Sequence, residues 1–98
     1  MANRAIRLHP LAADEAESAR AWYFARNPTV AEAFRLELDA AIESIAEAPG
    51  RWPRLHRRFR RYVLQRFPFS VVYFERADYV EVIAVAHHRR KPGYWSKR

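Results

Sequence analysis

The spacing of apolar residues changes once along this chain, and that change limits the folds open to it. From about Leu11 to Ile45 apolar side chains recur at helical intervals; from Phe59 to His87 the period becomes two. A chain of this kind packs helices against strands and builds neither alone. Ala12, Ala16, Ala19 and Tyr23, with Trp22 beside them, make one face of a first helix. Asp14, Glu15 and Glu17 lie in its first turns, where carboxylates suit the positive end of the helix dipole. Asn27-Pro28 interrupts it, because the residue before a proline is pushed out of helical backbone.

Thr29 then caps a longer helix, with Glu32 three residues on as the partner of a capping box. Val30, Phe34, Leu38, Ala41, Ile42 and Ile45 form its buried stripe, and Pro49-Gly50 stops it. So short a break makes the two helices fold back as a hairpin, and the alanine face of the first lets the backbones approach. Ala5 to Leu8 reads as a short strand ended by His9-Pro10. Arg51 to Arg57 is a basic, proline-broken loop, and Phe59–Gln65, Phe69–Glu75 and Tyr79–His87 read as strands joined by short connections. The last is almost continuously apolar from Val80 to Ala86, as an interior strand covered on both faces would be. The expected fold is a single α+β domain over 1–98, in the order β-α-α-β-β-β: a helical hairpin packed on one face of a small, mostly antiparallel sheet.

Composition matters through its charge. The formal net charge is +7, but residues 1–49 carry −3 and residues 50–98 carry +10. Sixteen of the 18 cations are arginine. The asymmetry favours an anionic partner on the C-terminal half. No cysteine is present, which removes disulfides and thiol chemistry and points to an intracellular, cytoplasmic protein. No apolar run is long enough to span a membrane, and the first seven residues lack the apolar stretch of a secretory signal.

Two segments can carry function. Arg51, Arg54, Arg57, Arg58, Arg60 and Arg61 fall within eleven residues, with Trp52, Phe59 and Tyr62 among them. The C-terminal segment from His87 to Arg98 adds His88, Arg89, Arg90, Lys91, Tyr94 and Trp95. Arginine forks and aromatic rings suit phosphate contact and base stacking, and adjacent strands would bring both groups onto one concave basic surface. The plainer readings are core packing for Phe69, Tyr73 and Phe74 and a solvated face for the arginines. Trp95 is divided between covering the sheet edge and meeting a partner. No metal site is expected, because His87 and His88 point to opposite faces of a strand, and no cofactor is called for. If there is catalysis it is acid–base work on RNA, with His88 moving protons and Arg90 or Tyr94 stabilising or orienting the transition state.

The chain resembles the RelE/ParE superfamily, the toxins of bacterial type II toxin–antitoxin modules. The element order, Ala21-Trp22-Tyr23, the set Ile42, Ile45 and Pro49, Arg66-Phe67-Pro68-Phe69, Val71 to Phe74 and the closing run Val85 to Trp95 carry the likeness, over nearly the full length. RelE-like members cleave mRNA in the ribosomal A site, whereas ParE-like members poison DNA gyrase. Carried over by position, the resemblance implies Arg61, His88, Arg90 and Tyr94 as the catalytic set of a RelE-like enzyme. Arg54, Arg57, Arg58, Arg60, Arg89, Lys91 and Trp95 would contact a target or an antitoxin. The catalytic lysines of the RelE branch have no counterpart here, and arginine is a poor general base. The expectation is therefore a ParE-like, gyrase-directed toxin, with a ribosome-dependent endoribonuclease as the alternative and a non-toxic nucleic-acid-binding module as a third. The implied partner is a cognate antitoxin, a DNA-binding dimer whose C-terminal segment wraps the toxin.

Overall fold

The structure is a computed structural model that describes residues 3–98; Met1 and Ala2, at the start of the expected domain, lie outside it. Strand β1 (Ala5–Leu8) leads into helix α1 (Pro10–Arg26) and helix α2 (Pro28–Glu47). After a 3-10 turn at Pro49–Arg51 come β2 (Arg54–His56), β3 (Phe59–Val63), β4 (Phe69–Glu75) and β5 (Tyr79–His87). The sheet order is β1-β5-β4-β3-β2, with β1 parallel to β5 and every other pair antiparallel. The fold is α+β, as the change of period requires, with one strand more than expected. Arg54–His56 belongs to the sheet rather than to a loop; all three of its residues are exposed.

The break between the helices is built by one residue. Pro28 forces Asn27 into extended backbone (φ −162°), and Asn27 then serves both helices. Its N–H donates to Tyr23 O (2.7 Å), closing α1, and its side-chain oxygen accepts from Thr29 N (2.9 Å), opening α2. Thr29 is therefore inside the helix and not its cap, and Glu32 pairs with Arg35 instead of completing a capping box. At the start of α1 the His9 imidazole accepts from Leu11 N (3.1 Å), with Pro10 in the first helical position. Asp14, Glu15 and Glu17 consequently lie past the first turn.

One face of the sheet receives the hairpin. Phe34, Leu38, Ala41 and Ile45 from α2, and Ala12 and Ala19 from α1, pack on Val71, Tyr73, Val80, Val82 and Val85. Tyr23, Phe34, Phe67 and Phe69 form an aromatic group with centroids 5.1–6.5 Å apart. Trp22, expected beside the buried face, is 55% exposed, with the Arg26 guanidinium 3.5 Å above its ring. The opposite face has its own apolar layer of Phe59, Val72, Phe74, Ile83, Ala84 and Ala86, closed by Trp95 from the C-terminal segment. Strand β5 is thus interior and covered on both sides, as its apolar run implies.

A bulge in β5 sets up the functional region. Val72 pairs with Ala84 and Tyr73 with Val82, so Ile83 is an extra residue. Strand β1 ends level with Val82, whose carbonyl accepts from His9 N (2.8 Å). Beyond that point the same edge of β5 has no strand partner. Side chains take the place of one: Val85 N donates to Glu15 Oε1 (3.0 Å), and Arg98 Nη1 donates to Ile83 O (3.0 Å).

Candidate functional site

The C-terminal segment, fixed along the open half of the β5 edge, separates two grooves. The sheet-face groove, about 710 Å3, has a floor of Ser70, Val72 and Ala86. Arg61, His88, Arg90, Lys91 and Tyr94 stand around it, and none of its lining residues is acidic. Small side chains on the floor give it depth, and cations at the rim make it suited to an anion. The helix-side groove, about 840 Å3, lies between α1 and β5; Leu11, Trp22, Tyr23 and Phe69 line it together with Asp14 and Glu15 from α1 and with Arg89 and Arg98.

The four residues carried over as a catalytic set do converge on the sheet-face groove. Their chemistry is partly committed elsewhere, however. The Tyr94 hydroxyl donates to Glu15 Oε2 at 2.7 Å. Burial, and then that hydrogen bond to a carboxylate, push it up to about 12. The Arg90 guanidinium lies 3.9 Å above the Tyr94 ring. His88 Nε2 is 2.9 Å from the Ser70 hydroxyl, which is buried in the sheet. His87 turns the other way and meets the Phe69 ring at 4.9 Å; burial, then the nearby Arg89 and His88, lower its pKa. The neighbouring imidazoles do face opposite sides, as strand geometry demands.

The remaining cations do not form one concave surface, because β3 alternates. Arg61 pairs across to Val72 on the groove side, whereas Arg60 pairs with Tyr73 on the helix side and donates to Trp52 O (2.7 Å). Arg58 lies 4.0 Å over the Phe74 ring. Arg54 donates to Arg57 O (3.1 Å), and Arg57 itself occupies left-handed backbone (φ 52°) in the turn between β2 and β3. Arg89 is in the helix-side groove, while Lys91 stays in the sheet-face groove. Trp95, counted among the partner contacts from sequence, is 4% exposed and packs on Phe59 at 4.8 Å; its indole belongs to the second apolar layer.

Glu15, Ser70 and Arg98 were not singled out from sequence, and Glu15 is the centre of the region. Its two oxygens accept from Tyr94, from Val85 N and from both Arg98 amino groups (2.8 and 2.9 Å). Burial alone would raise its carboxyl, but the Arg98, Tyr94 and Val85 hydrogen bonds outweigh it, and the net shift is downward. Nothing local in the sequence connects residues 83 positions apart. Among the described residues, no group of three or more His, Asp or Glu side chains could hold a metal ion, and no helix is long and apolar enough to cross a membrane.

Comparison with known proteins completes the picture. No curated protein matches the chain in sequence. Among solved structures, a chain of the chromosomal ParDE toxin–antitoxin system from P. aeruginosa superposes with a TM-score of 0.76 at 14% identity. The match covers 86% of this chain and 95% of that one, which establishes the shared fold. The family described as ParE toxin of type II toxin-antitoxin system, parDE, matches residues 6–92. The chain therefore belongs to the ParE toxin family of type II toxin–antitoxin systems.

Proposed function

We propose that this ParE-family toxin acts in the cytoplasm on DNA gyrase, is held in check by a cognate antitoxin and does not cleave RNA. The observation that carries the non-nucleolytic part is the engagement of Tyr94. Its hydroxyl is bound to Glu15 and shifted to about 12, so it is a weak proton donor at neutral pH. The arginines around the groove stabilise charge but do not accept protons. Of the four carried-over residues only His88 remains for acid–base work, and it is paired with Ser70. The +7 net charge fits an acidic antitoxin segment that binds partly through electrostatics.

One observation favours the endoribonuclease reading as a second choice: Arg61, His88 and Arg90 line a groove without carboxylates, which would accept an RNA backbone. A paired assay separates the two. Purified protein is expected to inhibit gyrase supercoiling and accumulate cleaved DNA, and to leave ribosome-bound mRNA intact. His88→Ala should keep full toxicity in a bacterium lacking the antitoxin. Codon-positioned mRNA cuts that vanish in His88→Ala would replace the gyrase reading with the nuclease. Unimpaired growth on expression of the unmodified chain would exclude both in favour of a plain binding module.

A further inference from the structure

The two grooves are not independent cavities. His87, Arg90 and Tyr94 line both of them, so each forms part of the wall between the grooves. Most of that wall is fixed. Glu15 holds the Tyr94 hydroxyl and the Arg98 fork, and both its oxygens are already saturated by these groups and by Val85 N. Arg90 is the exception. Its Nη1 stays 4.0 Å from Glu15 Oε2, outside hydrogen-bond reach, and its side chain is 55% exposed. It rests on the Tyr94 ring at 3.9 Å, a contact that a guanidinium keeps while turning to either side.

We propose that Arg90, resting on a Tyr94 held by Glu15, is a shared cation through which the grooves exclude each other: an acidic peptide in the helix-side groove and a phosphate-bearing polyanion in the sheet-face groove compete for the same guanidinium. The helix-side groove offers the exposed Leu11 and Trp22 to apolar side chains of such a peptide, and Arg89 and Arg90 to its carboxylates; of the two acids in its lining Glu15 is paired with Arg98, which leaves Asp14 as the opposing charge. The sheet-face groove offers Arg61, Lys91 and the Ser70–His88 pair to phosphate oxygens, with Arg90 on the same rim. A guanidinium turned toward α1 to meet a carboxylate leaves that rim; one drawn to phosphate leaves the peptide. Linkage makes the effect reciprocal, so each ligand weakens the other by the same factor. An antitoxin could then silence the sheet-face groove without covering it. That identity for the peptide rests on the toxin reading, whereas the competition does not.

The test uses the full chain with two probes: a short fluorescein-labelled single-stranded oligonucleotide and a soluble Glu/Leu-rich helical peptide. Fluorescence anisotropy at low salt is expected to show the oligonucleotide bound, with its affinity reduced about tenfold by saturating peptide. Arg90→Gln, at a largely exposed side chain, should bind each probe more weakly but lose the competition. Lys97→Gln, equal in charge and outside both grooves, should retain it, which separates a shared residue from general screening. Oligonucleotide binding that ignores the peptide, or that is absent altogether, overturns the proposal. So does competition of unchanged size in Arg90→Gln. A circular-dichroism melt of each variant confirms that the fold is intact. Gyrase inhibition, measured separately, can fail without touching this result.

Discussion

At the residue scale the structure turns on Glu15. In the sequence it is one of three acids in an early stretch of helix, and helix electrostatics is all that local reasoning offers it. In the fold it ties α1 to the C-terminal segment and to the open edge of β5. The Glu15 and Arg98 side chains are 16% and 11% exposed, so neither charge is well solvated if the other is removed. Glu15→Gln is expected to cost about 2 kcal/mol, lowering the melting temperature by about 10 °C. The pH dependence has a definite sign. Because the folded pKa lies below the ordinary 4.5, the stabilisation is fully present above that value. It is lost as pH falls from 4.5 through the lowered folded value, where the carboxyl takes up a proton. Glu17 and Glu32 are also lowered, by hydrogen bonds from Arg20 and Arg35, but on open helix surface where solvent screens them. Urea titrations at several pH values should therefore show a shallower acid loss in Glu15→Gln than in the parent. Parallel curves would mean that the clasp does not govern acid stability.

At the element scale, what was legible follows burial. The helices place apolar residues at helical intervals, and β4 and β5 are buried almost continuously, so a period in the first case and an apolar run in the second survive in the sequence. Strand β2 leaves neither: Arg54, Leu55 and His56 are all exposed, and a strand at the sheet edge with no buried face has no alternation to read. The bulge at Ile83 is hidden for a related reason, since an extra apolar residue in a strand buried on both faces leaves the run unbroken. The capping of α2 was misplaced by two residues because Thr-x-x-Glu fits the box pattern, while Pro28 had already set Asn27 in the extended backbone a cap needs. Of the site, the convergence of Arg61, His88, Arg90 and Tyr94 was readable through a resemblance. The burial of Trp95 and the capture of Tyr94 depend on contacts between distant segments. The cap assignment is testable by thermal melts: Asn27→Ala should cost about 1 kcal/mol. Thr29→Ala should cost under about 0.5 kcal/mol. The reverse order would restore Thr29 as the cap.

At the scale of the whole molecule, the charge asymmetry becomes a pattern of pairing. The cations of the helical hairpin are largely answered locally: Arg20 by Glu17, and Arg35 by Glu32 and Asp39. Among the described residues of the C-terminal half, Arg57, Arg61, Arg89 and Lys91 have no carboxylate within 4.0 Å. Arg51, Arg60 and Lys97, also without a carboxylate partner, lie elsewhere, but most of the unanswered charge stands around the two grooves and the β2–β3 turn, where an anionic partner gains most and salt screens most. Binding of the cognate antitoxin is expected to weaken several-fold between low and physiological salt, mainly through slower association. Arg89→Gln, in the helix-side groove and free of any ion pair, should flatten that dependence. Arg35→Gln removes the same formal charge from a site already neutralised by two carboxylates and should leave the slope nearly unchanged. Stopped-flow association rates for both variants across a salt series make the comparison. Equal slopes for the two would show that only net charge matters, and a salt-independent dissociation constant would remove electrostatics from recognition altogether.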